Sequence, residues 1–325
     1  MAEQPASSKK VFLTGASGFV GGYVFRELIA RGYHPVCLLR SGDRFRRAAT
    51  NVDPAMYSVI EGTLFQPAAL ARATRDAMAA IHLVGIIVER RGLGRGQSFR
   101  RVHVEGTRQV VDAARAAGVP RFIHMSALGS RPDAPATYHR TKYEAEQIVR
   151  ASGMAWTIFR PSIIHGPDGE FMELVKSFVA SPFPPVIPYF GNGEHKLQPV
   201  SVRDVATCFV SALSNEATIG KVFEMGGPRA YTWKELYETC RRLIPGSCRI
   251  KPKVGVPVPV AKVIGRIGDL NDLLLGTRLG VPFNLDQVRM SQEDSTCDPR
   301  PVEQTFGIRL RDFEEELAAY ANLIR

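Results

Sequence analysis

Three glycines, Gly15, Gly18 and Gly21, recur at three-residue intervals between the apolar run KVFLT (10–14) and the amphipathic run FVGGYVFRELIARG (19–32). A strand that turns this tightly into a helix offers unpaired N–H groups and a partial positive charge, the backbone means of gripping a pyrophosphate. The first glycine lets the chain reverse, the second lets backbone approach the phosphates, and the third lets helix and strand pack closely. Thr14, Ser17, Phe19 and Val20 share the turn and are expected to line it. The second strand ends at Arg40, followed by Ser41. A carboxylate there would hold the ribose hydroxyls of NAD, whereas a guanidinium accommodates a 2′-phosphate. NADP(H) is therefore favoured over NAD(H), with a solvated surface arginine as the alternative. Further along, Tyr138 and Lys142 stand four residues apart, so on a helix they share one face.

Those residues need a scaffold, and the chain alternates short apolar runs with helical patterns. Strands are expected at 10–15, 34–40, 56–62, 79–88, 121–127 and 155–161. Helices are expected near 19–31, over QPAALARATRD, across 98–117 up to Gly118 and Pro120, and near 137–152. Strand–helix alternation sustained this long predicts an α/β fold with a doubly wound parallel sheet covered on both faces. After Pro161 the chain becomes rich in Pro, Gly and aromatics. A helix near 202–214 and a strand at KVFEMGG then return to the sheet pattern. Residues 1–165 are read as a dinucleotide-binding domain whose sheet is completed by about 200–226, and 166–199 with 227–325 as a smaller α/β substrate lobe. That lobe lies over the carboxyl edge of the sheet, where open α/β folds bind ligands. The stretch 256–276 mixes apolar and basic residues as an interfacial helix does, although a core-facing lobe helix is the commoner source of such a pattern.

Composition narrows the class. The 325 residues are 45% hydrophobic and 23% charged, with a formal net charge of +10. The arginines form short clusters (Arg44, Arg46, Arg47; Arg90, Arg91, Arg95; Arg100, Arg101) without interleaved aromatics or zinc-finger spacing, which argues against nucleic acid. An anionic cofactor together with an acidic membrane or protein surface suits the charge better. The five cysteines, Cys37, Cys208, Cys240, Cys248 and Cys297, include no CxxC pair, so neither a disulfide framework nor a metal site is expected. The opening MAEQPASSKK shows no secretory or transit signal, and the expectation is a cytoplasmic protein, with peripheral attachment to the inner face of a membrane left open.

TGASGFVG, VHVEGTRQVVDAARAAGVPRFIHMSALG, YHRTKYEAE, TIFRPSIIHGP, QPVSVRDVA and VFEMGGPRAYTWKEL resemble the extended or atypical short-chain dehydrogenase/reductase family, in the epimerase/dehydratase superfamily. FIHMSALGS, AEQIVRASGMAWTIFRPSIIHGP and FNLDQVRMSQED are similar, more narrowly, to the NAD(P)H-binding accessory subunit of respiratory complex I and its bacterial relatives. The resemblance implies a Rossmann fold with a nicotinamide nucleotide above the carboxyl ends of the strands. Leu83, Val84 and Gly85 within the fourth strand, Pro161 at the end of the sixth, and Lys142 then join the cofactor contacts. It also implies that the Tyr138 phenol gives or takes the substrate proton, that Lys142 lowers the phenol's pKa and holds the nicotinamide ribose, and that a Ser or Thr orients the carbonyl. Ser126 is the candidate, one position early, with Ala127 in the expected place and Ser130 as a substitute if the loop folds back. His103 stands where the family's helix carries an Asn, and Thr63 where many relatives have an Asp for the adenine. His82, His103 and His165 read as packing or loop contacts, Tyr138 alternatively as a buried structural phenol, and Arg160 as a partner for either a phosphate or a carboxylate. Two functions follow. One is an oxidoreductase acting on a carbonyl or alcohol of an apolar substrate, with Phe171, Phe178 and Tyr189 suiting a bulky ligand. The other is a non-catalytic NADPH-holding subunit associated with respiratory complex I or a membrane surface.

Overall fold

The computed structural model describes residues 9–41, 45–90, 96–275 and 283–324. Arg44, Arg91 and Arg95 lie outside the described residues. The first half runs β1 (Lys10–Thr14), α1 (Phe19–Ala30), β2 (His34–Leu39), the short α2 (Phe45–Ala48), β3 (Ser58–Glu61), α3 (Pro67–Thr74) and β4 (Ala79–His82). It continues with α4 (Gly106–Ala116), β5 (Arg121–Met125), α5 (Thr137–Arg150) and β6 (Ala155–Pro161). Then come β7 (Ile164–His165), α6 (Glu170–Ala180), β8 (Ile187–Phe190), β9 (Lys196–Leu197), β10 (Val200–Ser201), α7 (Val202–Ser211) and β11 (Lys221–Met225). The chain ends with β12 (Tyr231–Thr232), α8 (Trp233–Leu243), β13 (Lys253–Val256), α9 (Val258–Leu275), α10 (Leu285–Met290), α11 (Arg300–Phe306) and α12 (Phe313–Tyr320).

Seven strands form one parallel sheet in the order β11-β6-β5-β4-β1-β2-β3. The winding reverses between β1 and β4, which opens a ligand crevice above their carboxyl ends. Because alternate strand residues face opposite sides, each strand feeds two cores. Val11, Leu13, Ile81, Ile123 and Phe159 pack with Val24 and Leu28 of α1 and with Val205 and Phe209 of α7. Phe12, Ala80, Phe122 and Ile158 pack on the other face with Leu70 of α3, Val110 of α4 and Val149 of α5. This is the Rossmann arrangement that the sequence pattern implies.

A third hydrophobic core brings Met172, Val175 and Val179 of α6 against Leu236 and Cys240 of α8 and Phe313 and Leu317 of α12. It is tied to the sheet by the ion pair of Arg311 with Asp204 on α7, and by Ser162 Oγ at 2.9 Å from Ser295 O. No described helix is long and apolar enough to cross a membrane.

Two elements differ from the sequence reading. The fourth strand ends at His82 rather than running to 88, because the following amides are taken by side chains: Leu83 N–H donates to Thr14 Oγ1 (3.3 Å) and Ile86 N–H to His103 Nε2 (3.0 Å). The helix expected across 98–117 opens as a wide π-type turn, Arg100–Glu105, before α4 proper. That turn carries His103, so the same residue marks both departures.

Candidate functional site

The glycine turn is built from backbone. Gly15 has φ +81°, a left-handed conformation that L side chains adopt at a cost, and its carbonyl accepts from Gly18 N–H at 2.9 Å. A Cβ on Gly21 would lie 1.9 Å from Gly15 O, so no other residue fits where α1 crosses β1. Gly18 differs from both. It is exposed, its φ of −86° is ordinary, and an added Cβ would meet only Gly15 O at 3.3 Å. The fold does not demand a glycine there, but a close-lying diphosphate would. Gly18 caps α1 without a side-chain hydrogen bond and the first turn holds no acid, leaving the helix N–H groups open to an anion. Ser17 and Phe19 are half-buried and Val20 is buried. The Phe19 ring lies against Gly166 and Gly169, where added Cβ atoms would meet it at 3.0 and 3.1 Å. Arg40 stands exposed at the end of β2, beside Ser41. These residues fit a dinucleotide: a cradle a Cβ would obstruct, an uncapped helix and an outlying guanidinium.

Along the crevice, polar side chains are buried in linked pairs. Thr14 Oγ1 is 2.7 Å from His82 Nδ1, and His82 Nε2 is 3.1 Å from Thr107 Oγ1. Because His103 Nε2 accepts from Ile86, its Nδ1 carries the proton and donates to Thr141 Oγ1 at 2.9 Å. His103 thus pins the loop Leu83–Ile86 to α5 as a neutral imidazole. His82 and His103 are packing and polar contacts, as the sequence suggests. Burial lowers the pKa of both, His82 to about 3. His165 is likewise internal, with Nδ1 3.1 Å from the Tyr320 hydroxyl.

Tyr138, Lys142 and Glu146 follow one another at four-residue spacing on α5, so one stripe of that helix faces the carboxyl ends of the sheet. Lys142 is 2% exposed and donates to Met125 O at 3.0 Å. An added Cβ on Gly85 would meet its Nζ at 2.8 Å, so the Leu83–Val84–Gly85 loop lies directly on the amine. Burial pulls Lys142 down to about 8, against the opposing influence of Glu146. Tyr138 is half-buried among Phe99, His103 and His139, with ring centroids 5.8, 5.4 and 5.3 Å away. Its hydroxyl bonds to no described residue, while its backbone N–H donates to Asp286 Oδ2 at 3.0 Å. Burial raises the phenol to about 12. The direction is opposite to the expected lowering, because aromatic surroundings disfavour a phenolate and the Lys142 amine is directed to Met125 O.

Ser126 is engaged elsewhere. Its Oγ donates to Glu146 Oε1 at 2.5 Å, with Ser130 Oγ 3.2 Å away, and the Glu146 carboxylate is gripped at both oxygens by Arg160 at 2.8 Å. Arg160, readable from sequence as a phosphate or carboxylate partner, takes the carboxylate. Pro161 lies beside this group, its carbonyl accepting from Leu128 N–H at 2.9 Å. Phe171 and Phe178 pack edge-on against Trp233 and Tyr237 within the lobe, so they build its core. Sequence reasoning missed Glu146, Thr141 and Asp286; the continued four-residue spacing after Lys142 was the available signal for Glu146.

Comparison with known proteins agrees with this geometry. Residues 15–216 match the NAD(P)H-binding family. The chain is 31% identical over 270 residues to the ceramide reductase of Caulobacter vibrioides, covering 82% of this chain and 80% of the relative. It is 27% identical to the NADH-ubiquinone oxidoreductase 40 kDa subunit of Neurospora crassa, covering 88% of this chain and 71% of that one. It is 31% identical to the divinyl chlorophyllide a 8-vinyl-reductase of Oryza sativa subsp. indica, covering 78% and 62%. Among solved structures, MoeE5 with UDP-glucose and NAD superposes with a TM-score of 0.71 at 18% identity, over 97% of this chain and 98% of that one. DesIV, the dTDP-glucose 4,6-dehydratase of Streptomyces venezuelae with NAD and TYD bound, gives 0.72 at 20%, over 97% and 96%. The family match over residues 15–216, on a chain whose glycine cradle opens a seven-stranded parallel sheet, makes this chain a member of the NAD(P)H-binding family.

Proposed function

We propose that this protein is an NADPH-dependent oxidoreductase that reduces a carbonyl on a long, apolar, lipid-like substrate. The observation that carries the reading is the Tyr138 hydroxyl, free of hydrogen bonds to described residues and placed one helical turn from Lys142 at the carboxyl edge of the sheet. A bound reduced nicotinamide supplies the hydride. The backbone around Gly18 and the open end of α1 hold the diphosphate, Arg40 reads the 2′-phosphate and Lys142 holds the ribose. Tyr138, kept protonated by burial, donates its proton to the carbonyl oxygen as negative charge develops there. Burial keeps the phenol in the protonated form that can donate. Ser126 has given its one hydroxyl proton to Glu146, so Tyr138 carries the polarisation of the carbonyl unless that bond opens. Residues 1–165 with 200–226 form the nucleotide domain, and 166–199 with 227–325 close over the substrate. The ceramide reductase relative supports a lipid as the carbonyl carrier.

The test follows NADPH oxidation with long-chain lipid ketones, the ceramide class first. Tyr138→Phe is expected to lower kcat about 10²–10⁴-fold while leaving NADPH affinity nearly unchanged. Undiminished turnover in that variant would remove Tyr138 from the chemistry. A second reading, a subunit that holds NADPH without turning it over, draws support from Ala127 and the engaged Ser126, and from the 40 kDa respiratory relative. It expects NADPH to raise the melting temperature while no carbonyl substrate oxidises it.

A further inference from the structure

The helix α9 is turned inside out for a soluble protein. Its small residues Ala261, Gly265 and Gly268 are the buried ones. A Cβ added to Gly265 would meet Leu285 N at 2.9 Å, so α9 lies backbone to backbone on the start of α10. Four of the large side chains over 258–270 point outward, Val260 49%, Val263 55%, Ile267 51% and Leu270 54% exposed. At 3.6 residues per turn these four fall within an arc of roughly 80°. Lys262 and Arg266 border that arc, both exposed and neither engaged in an ion pair with a described residue. A soluble surface helix normally turns its apolar stripe to the core.

From this geometry we propose that α9 is an interfacial helix, and that its outer face docks on the surface of an anionic lipid bilayer. The chemistry fits on both counts. The apolar arc can enter the boundary of headgroup and acyl chain, while Lys262 and Arg266 extend their heads to lipid phosphates. The net charge of +10 adds long-range attraction to such a surface. A second copy of this chain fits poorly, since pairing these faces would bring unpaired cations together. Asp269 on α9 is half-buried and accepts from Leu285 N–H at 3.2 Å.

The face also has a route to the site. Asn284, at the start of α10, donates from Nδ2 to Ile87 O at 3.3 Å, and Asp286 accepts from Tyr138 N–H at 3.0 Å. A docked α9 therefore sets the mouth beside Tyr138 close to the bilayer, where an apolar substrate would be drawn from. This last clause rests on the function proposed above, whereas the docking does not.

The test is co-sedimentation of the full chain with vesicles of phosphatidylglycerol and phosphatidylcholine, against vesicles of phosphatidylcholine alone. NADPH affinity and thermal melting are measured on the same preparations. Wild-type protein is expected to pellet with the anionic vesicles and to be released by salt. Val263→Glu with Ile267→Glu should reduce binding at least tenfold without changing NADPH affinity, and Lys262→Ser with Arg266→Ser should reduce it several-fold. The milder Val263→Ser with Ile267→Ser serves if the glutamate pair unfolds. Wild-type protein left in the supernatant would overturn the proposal, as would variants that bind unchanged. Dissociation of a protein dimer or of an acidic protein partner by the glutamate pair, with vesicle binding intact, would overturn it too. Failure of docking with Tyr138→Phe still abolishing turnover would leave the enzymatic reading standing.

Discussion

The two halves of the crevice are made of different material. Around β1, α1 and β2 the site is backbone and open: Gly18 is exposed, α1 begins without a side-chain cap, and Arg40 reaches into solvent. Around β4, β5 and α5 it is side chain and closed, with His82 between two threonines, His103 joined to Thr141, and Ser126 and Arg160 both on Glu146. The first half offers an anion the open N–H groups at the start of α1. The second pairs most of its polar groups internally, leaving the Tyr138 hydroxyl, both ring nitrogens of His124 and His139 Nδ1 without a partner among the described residues. Binding and chemistry are therefore separable in this chain, and substitutions on either side should show it.

The largest expected effect falls on buried histidines, two of them in the closed half and His165 on β7, and needs no mutation. Burial lowers His82 to about 3, His139 to about 4 and His165 to about 3, from an ordinary 6.5. Below pH 6.5 the unfolded chain takes up protons that these folded imidazoles refuse. Stability is therefore fully present above that pH and falls on acidification, by about 1.4 kcal/mol per pH unit per histidine. Urea melts from neutral pH to about pH 4 should show a steep decline, shallower in His82→Asn. A flat profile would mean that the closed half is wetter than its geometry implies.

Next in size is Glu146→Ala. It leaves Arg160, whose side chain is 17% exposed, with the long and more exposed pair to Glu224 at 3.5 Å, and frees Ser126. A loss of about 3 kcal/mol in urea unfolding is expected, because removing one member of a buried pair leaves the other charge poorly compensated. Smaller still is Arg40→Ala on the open half. NADPH affinity should fall about tenfold, or ~1.4 kcal/mol, with NADH affinity and melting temperature unmoved. Equal losses for both nucleotides would remove Arg40 from 2′-phosphate recognition.

The open half was the legible one. A glycine turn between an apolar run and an amphipathic run is written in consecutive residues, and so are the parallel strands. The closed half depends on partners far apart in sequence, as Arg160 and Glu146 or Tyr138 and Asp286 illustrate. The fourth strand looked longer than it is because 83–88 is as apolar as a strand. Two side chains, Thr14 and His103, divert its amides. In α9 the pattern of apolar and basic residues was visible, but not which face lay outward. That was decided by Gly265 fitting against the backbone of Leu285.

The central claim is that the glycine turn exists to hold a nicotinamide nucleotide, and Gly18 isolates it best, since an added Cβ there meets only Gly15 O at 3.3 Å whereas one on Gly21 meets it at 1.9 Å. Titration of wild type and Gly18→Ala with NADPH, alongside their thermal melts, tests this most directly. The account predicts at least about tenfold weaker binding, with stability lowered by no more than about 1 kcal/mol. Unchanged NADPH affinity in Gly18→Ala, with the protein folded, would contradict it.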